Sequence, residues 1–231
     1  MSRRSGCHPV SRVGIVEVTL RRDAMPSHTA TFSPAGWTEA GPGVWTKDLL
    51  QSPGDSFTLV RLGAGAVLSD PGDRVLVLEG TLADHRAGAY LAADGALSSP
   101  DGCLALSISG ERLGEPAEDA FGPSGWQKSG PGLWFRLLLD VAFDETFDER
   151  VVGLSSFEPG SFSARHPHPT AHRFLFLDGE ADDELVFPDG SRVTARRARG
   201  DFVDYPAQVE HQTFSRGGCL ILFLHEPAER A

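Results

Sequence analysis

Cysteine is scarce: Cys7, Cys103 and Cys219 are the three in 231 residues, and no two form a Cys-x-x-Cys pair. An odd number cannot be fully bridged within one chain, so a disulfide scaffold is excluded and a reducing compartment, with the cytoplasm as default, is expected. No apolar run approaches the roughly 18 residues that a spanning helix needs, so a soluble chain without a membrane partner is expected. Basic residues are in deficit, with 21 Lys and Arg against 32 Asp and Glu and a formal net charge of −11. Nucleic-acid binding needs clustered Lys and Arg facing phosphate, so this balance argues against such a partner.

The basic residues that are present are unevenly placed. Arg3, Arg4, Arg12, Arg21 and Arg22 all precede Met25, leaving 16 basic and 30 acidic residues beyond residue 24. No apolar stretch of about seven residues makes this segment a secretory signal. Residues 1–24 are therefore read as a flexible arm, with two alternatives open: a lone added strand at Val13–Leu20, or an extension ahead of a start at Met25.

What the chain does have is an internal repeat. Phe32-Ser-Pro-Ala-Gly-Trp37 and Gly41-Pro-Gly-Val-Trp45 recur 89 positions later as Phe121-Gly-Pro-Ser-Gly-Trp126 and Gly130-Pro-Gly-Leu-Trp134. Arg74-Val-Leu-Val-Leu-Glu-Gly80 then matches Arg173-Phe-Leu-Phe-Leu-Asp-Gly179, and Gly102-Cys-Leu104 matches Gly218-Cys-Leu220. Three matched blocks in one order, at offsets growing from 89 to 99 to 116, mark a duplicated unit with insertions in its second copy. Within each copy short runs of Val, Leu and Phe are cut by Pro-Gly, Pro-Asp-Gly or Gly-Gly, the pattern of an all-β sandwich or barrel. Glu184–Phe187 and Ser191–Thr194 read as a hairpin about Pro188-Asp-Gly190, and Leu220–Leu224 as a buried closing strand. The expected plan is two tandem all-β units, residues 25–115 and 120–231, with the paired tryptophans as packing residues.

Histidine is concentrated in the second copy. His166, His168 and His172 fall within seven residues, and His211 lies 39 beyond His172. On a strand, i and i+2 face one side, so His166 and His168 point together, and a turn over Pro169–Ala171 returns His172 beside them. Burying four imidazoles with no shared cation would strand several hydrogen-bonding nitrogens, which makes a metal site the better reading. Imidazole suits Zn, Cu, Fe and Ni. His8, His28 and His85 are read as ordinary residues, and His225, on the last strand, as a neighbour of the site rather than a ligand.

These residues resemble the cupins. The first cupin motif, G-x5-H-x-H-x3,4-E-x6-G, is similar to Gly160-x5-His166-x-His168-x3-His172-x6-Gly179, and the second, G-x5-P-x-G-x2-H, to Gly200-x5-Pro206-x-Gln208-x2-His211. Two identities depart: His172 stands at the usual Glu, and Gln208 at a glycine. The resemblance implies two jelly-roll barrels of six to eight strands and places His166, His168, His172 and His211 on the ligand positions. The entry and exit blocks look most like the ChrR-type group, which includes anti-sigma-factor sensor domains and the acetylacetone and dihydroxyacetophenone dioxygenases. In the first copy the matching stretch Gly63–Asp73 has no histidine and offers Asp73 alone, so that copy is expected to be a degenerate, metal-free barrel that packs on the second or supports a homodimer.

The chemistry implied is a metal-dependent dioxygenase using one divalent ion, Fe(II) in the first instance and Zn, Ni, Mn or Cu otherwise, with a small oxygen-rich substrate and O2 as partners. Four neutral ligands leave the ion's charge uncompensated and favour an anionic oxygen ligand. Tyr205 is the candidate catalytic residue, and Arg165, Phe174, Phe176, Gln212 and Phe214 are candidate substrate contacts; Arg196, Arg197 and Arg199 are read as solvated. Two other functions stay open, a sensing cupin that binds without turnover and a metal-assisted isomerase or lyase. The His-x3-Cys-x2-Cys signature of the anti-sigma sensors has no counterpart before Phe32, where only Cys7-His8 stands.

Overall fold

The computed structural model describes residues 27–28, 32, 36–52, 55–110, 113–138 and 151–225. The arm and lone strand expected over residues 1–24 lie outside the described residues. Among these the chain forms twenty strands and no helix, so the class is all-β.

The repeat blocks fold alike. Thr38–Gly41 pairs with Val44–Ser52, and Gln127–Gly130 with Leu133–Leu137, each with a register shift just before its turn, at Glu39/Gly41 and Lys128/Gly130. Both turns pass through a left-handed glycine, Gly43 at φ 69° and Gly132 at φ 68°, a conformation glycine adopts without steric cost. The other two blocks meet each other. Arg74–Leu82 pairs with Cys103–Ser109 so that Gly80 faces Cys103, and His172–Val186 pairs with Cys219–His225 so that Gly179 faces Cys219. Each ladder carries one bulge, which leaves Leu78 or Leu177 without an opposite residue. A Cβ on Gly80 would collide with the carbonyl oxygen of Gly102, and one on Gly179 with that of Gly218.

Strands in the middle of the molecule are apolar on both faces because each face has its own core. Along Cys219–His225, Cys219, Ile221 and Phe223 enter the interior of the second barrel, while Leu222 and Leu224 enter a cluster shared with the first. Leu76, Leu106 and Ile108 come to that shared cluster from the other side. Val75, Val77, Ala105 and Leu91 fill the first barrel's interior with aliphatic carbon. The two barrels are thus cemented sheet to sheet, and Trp37 and Trp126 pack against the same cluster. Ser27–His28, which the repeat would give to the first unit, pairs instead with Phe202–Tyr205 of the second.

His172–Val186 builds the second barrel by serving both of its walls. Its first half pairs with Cys219–His225 and Phe202–Tyr205, and its second half with Arg192–Ala198 and Glu210–Ser215. The hairpin expected about Pro188-Asp-Gly190 is present, with Leu185 opposite Val193.

Candidate metal centre

One wall carries His166 directly opposite His211, and the facing wall carries His172 directly opposite His225. His168 lies between the pairs, its ring centroid 4.6 Å from His166, 3.9 Å from His172, 4.7 Å from His225 and 5.0 Å from His211. The four residues expected from sequence are therefore brought together, and a fifth joins them. Ligand atoms of His166, His168 and His211 lie within 4.8 Å of one another, as do those of His168, His172 and His225. Among the described residues, both such groups belong to the second barrel.

His225 is the residue that sequence reasoning leaves aside. It follows Cys219, Ile221 and Phe223 on the inward side of its strand, so strand alternation carried one residue further would have found it.

Burial holds His168, His172, His211 and His225 neutral. The His168 imidazolium pKa falls to about 2, chiefly because desolvation penalises the charged ring and then because His211 and His166 stand close. His211 falls to about 3 and His225 to about 2 for the same first reason, and His172 lies well below the ordinary value. Neutral imidazole is the form that binds metal. His166 Nδ1 lies 2.6 Å from the carbonyl of Ala164; donation there fixes the tautomer and leaves Nε2 with its lone pair facing inward. Neither ring nitrogen of the buried His172 has a hydrogen-bond partner, and Nδ1 of His211 has none. Stranded buried nitrogens on neutral, converging rings are what a divalent cation would satisfy, so the donor set fits such an ion.

Beside the rings is a cavity of about 130 Å³. Phe135, Phe157, Phe174 and Phe223 line it together with Ser155 and Thr213. At roughly 30 Å³ per water in the liquid, it admits a molecule of only a few heavy atoms.

The other candidates are distributed differently from the sequence expectation. Phe174 lines the cavity, 4.0 Å from the His172 ring. Phe176 shares its inward face but lies deeper, with 0% exposure in the core. Gln212 turns away and donates from Nε2 to the carbonyl of Ser163 at 3.2 Å. Phe214 lies under the Arg216 guanidinium at 5.7 Å and lines an outer groove rather than the histidine cavity. Arg165 is held by Glu184 at 2.7 Å, so its charge is already paired.

Tyr205 does not reach the cavity, because its hydroxyl donates to Asp183 Oδ2. Asp183 is fully buried, accepts from Thr213 Oγ1 at 2.6 Å and faces Arg197 Nε at 3.5 Å. Burial pushes the Asp183 carboxyl up, against the pull of Thr213, Tyr205 and Arg197. Arg197 is thus not solvated: it is 6% exposed, whereas Arg196 on the opposite face pairs with Glu180 outside. The network braces the wall behind His211, whose ring centroid is 5.7 Å from that of Tyr205.

Fold and site define a cupin-type double β-barrel with a histidine-rich candidate metal centre in its second unit. Residues 120–229 match the family described as the ChrR Cupin-like domain. Oxalate decarboxylase of Lactobacillus farciminis, solved as a formate complex, superposes with a TM-score of 0.59 at 14% identity over 85% of both chains. A Cupin 2 conserved barrel domain protein from Leptotrichia buccalis gives 0.52 at 15% identity over 81% of this chain and 90% of that one. A single-site mutant of Bacillus subtilis oxalate decarboxylase gives 0.55 at 14% identity over 84% of this chain and 75% of that one. At such identities the shared property is the fold. No curated protein matches by sequence.

Proposed function

We propose that the second barrel is the active site of a metal-dependent dioxygenase that cleaves a small diketone- or hydroxyketone-type compound. The observation that carries this reading is the convergence of imidazoles on a cavity of about 130 Å³ walled by Phe135, Phe157, Phe174 and Phe223. His166, His168, His172 and His211 would hold the ion, with Fe(II) the metal of choice. When bound, the ion supplies a Lewis-acid centre whose double charge no protein carboxylate offsets. The tautomer set by Ala164 presents His166 Nε2 inward, and the phenylalanines give the cavity an apolar wall that would exclude water from a bound substrate. In the overall reaction both atoms of O2 enter the products, and the bond between a carbonyl carbon and its neighbouring carbon breaks; a β-diketone thus gives a carboxylic acid and a 1,2-dicarbonyl.

The test is reconstitution. Untagged protein loaded anaerobically with Fe(II) should consume O2 in step with a β-diketone such as acetylacetone, and metal-stripped protein should not. Stoichiometric, tightly held zinc with no O2 uptake across a panel of diketones and hydroxyketones would overturn the reading. A non-turnover sensing cupin would then be the better account, and it is already favoured by one observation, the fully buried group His168, His172 and His225, which a fourth donor would close.

A further inference from the structure

The five rings form two triads rather than one ring of ligands. His166, His168 and His211 make an outer group, with His166 half-buried; His168, His172 and His225 make an inner group in which every member is buried. The inner rings are crowded, with His172 and His225 centroids 3.5 Å apart and His168 and His172 3.9 Å apart. Each triad draws its paired histidines from one wall of the barrel. His168 is common to both, and a neutral imidazole has a single lone pair, so it can serve only one cation at a time.

We propose that His168, His172 and His225 constitute a second, inner metal seat, an alternative position for the same single ion. His225 is thereby a metal ligand, and the ion can shift from one triad to the other along the cavity that all five rings line, without leaving the protein. Three neutral nitrogen donors suit a borderline cation such as Zn2+ or Co2+. The proposal rests on the metal-centre reading above, and the experiment separates the two.

Co2+ serves as the probe, with binding followed by its visible absorption and by equilibrium dialysis against the full chain. Unmutated protein should take up one Co2+. His225→Asn should also bind one, at least about tenfold more weakly and with a changed spectrum. His211→Ala, which dismantles the outer triad, should still hold one ion, now in the inner seat. The double variant should lose binding by a further tenfold or more. A His225→Asn protein indistinguishable from the parent in affinity and spectrum overturns the inner seat, as does loss of the ion in His211→Ala. No Co2+ binding by the parent overturns the metal centre itself. Should His225→Asn fail to fold, anomalous diffraction from Co2+-loaded crystals of the parent decides: a peak bonded to the His225 ring supports the proposal, and one bonded to His166 and His211 alone sinks it.

Discussion

Nε2 of His168, just past the short strand His166–Pro167, and Nε2 of His211, on the strand paired with it, stand 2.9 Å apart. At that distance two neutral rings either share one proton, N–H to N, or give both lone pairs to one cation. Excess protons disrupt both arrangements, since a second N–H on either ring would face its neighbour.

Metal-free protein should therefore be acid-sensitive in a defined window. The folded-state values of about 2 for His168, 3 for His211 and 2 for His225 lie below the unfolded value near 6.5. A depressed folded pKa gives stability that is fully present above about pH 6.5 and is lost as pH falls from there toward 2–3. For three such rings the loss is roughly 3 kcal/mol over the first unit below pH 6.5. Urea unfolding of chelator-treated protein at pH 7.5 and 5.5 measures it, and equal stabilities at the two would remove the argument. Added Zn2+ should raise Tm at pH 7.5 and less so at pH 5.5, where protons compete for the same nitrogens.

Tyr205→Phe should act on stability rather than turnover. It deletes one of the donors to the buried Asp183 carboxylate, a loss of about 1–3 kcal/mol. Because the hydroxyl faces Asp183 and not the cavity, Fe(II)-dependent O2 uptake per folded protein should change less than about threefold. A hundredfold fall in kcat with unchanged unfolding energy would return Tyr205 to the chemistry.

Gln208 stands at a left-handed φ of 67° where the resembling motif has glycine. Its backbone N–H donates to the carbonyl of His168 at 2.7 Å, so the turn holds the segment that carries this histidine in place. Gln208→Gly relieves the left-handed penalty while keeping that bond, and should stabilise by about 1 kcal/mol. Denaturant midpoints check this, and a variant less stable than the parent would contradict it.

Gly80→Ala and Gly179→Ala should be costly to a similar degree, above about 2 kcal/mol each. Both positions have a left-handed φ, 75° and 72°, and in both the added methyl meets a backbone carbonyl that cannot move aside. Thermal unfolding of the two variants side by side tests the equivalence of the copies.

The repeat made most of the fold legible. Its blocks contain the glycines of the turns and bulges, and backbone geometry there admits little else, so Gly43 and Gly132, or Gly80 and Gly179, remain matched in sequence and in place. Alternation and a short turn are local rules, and they carried His166, His168 and His172 together, while His211 was placed by the second motif. What local rules could not supply was long-range pairing. His225 faces His172 across a ladder 53 residues apart in sequence, and Arg165 and Tyr205 found Glu184 and Asp183 on strands whose register no motif encodes. Arg197 departs from its solvated reading for the same reason: alternation says it faces opposite to Arg196, but only the partner sheet decides which face is dry.

The core shared by the barrels ties two histories together. Leu222 and Leu224 alternate with Ile221, Phe223 and His225 on one strand, so every second position answers to the sister copy and the rest to the second barrel's interior and its histidine cluster. The first barrel's interior is packed with aliphatic side chains, as around Val75 and Val77, and its outer face could not be removed without leaving Leu154, Leu175 and Leu222 facing water. Through those outward leucines each copy is a structural requirement of the other, whatever its interior holds.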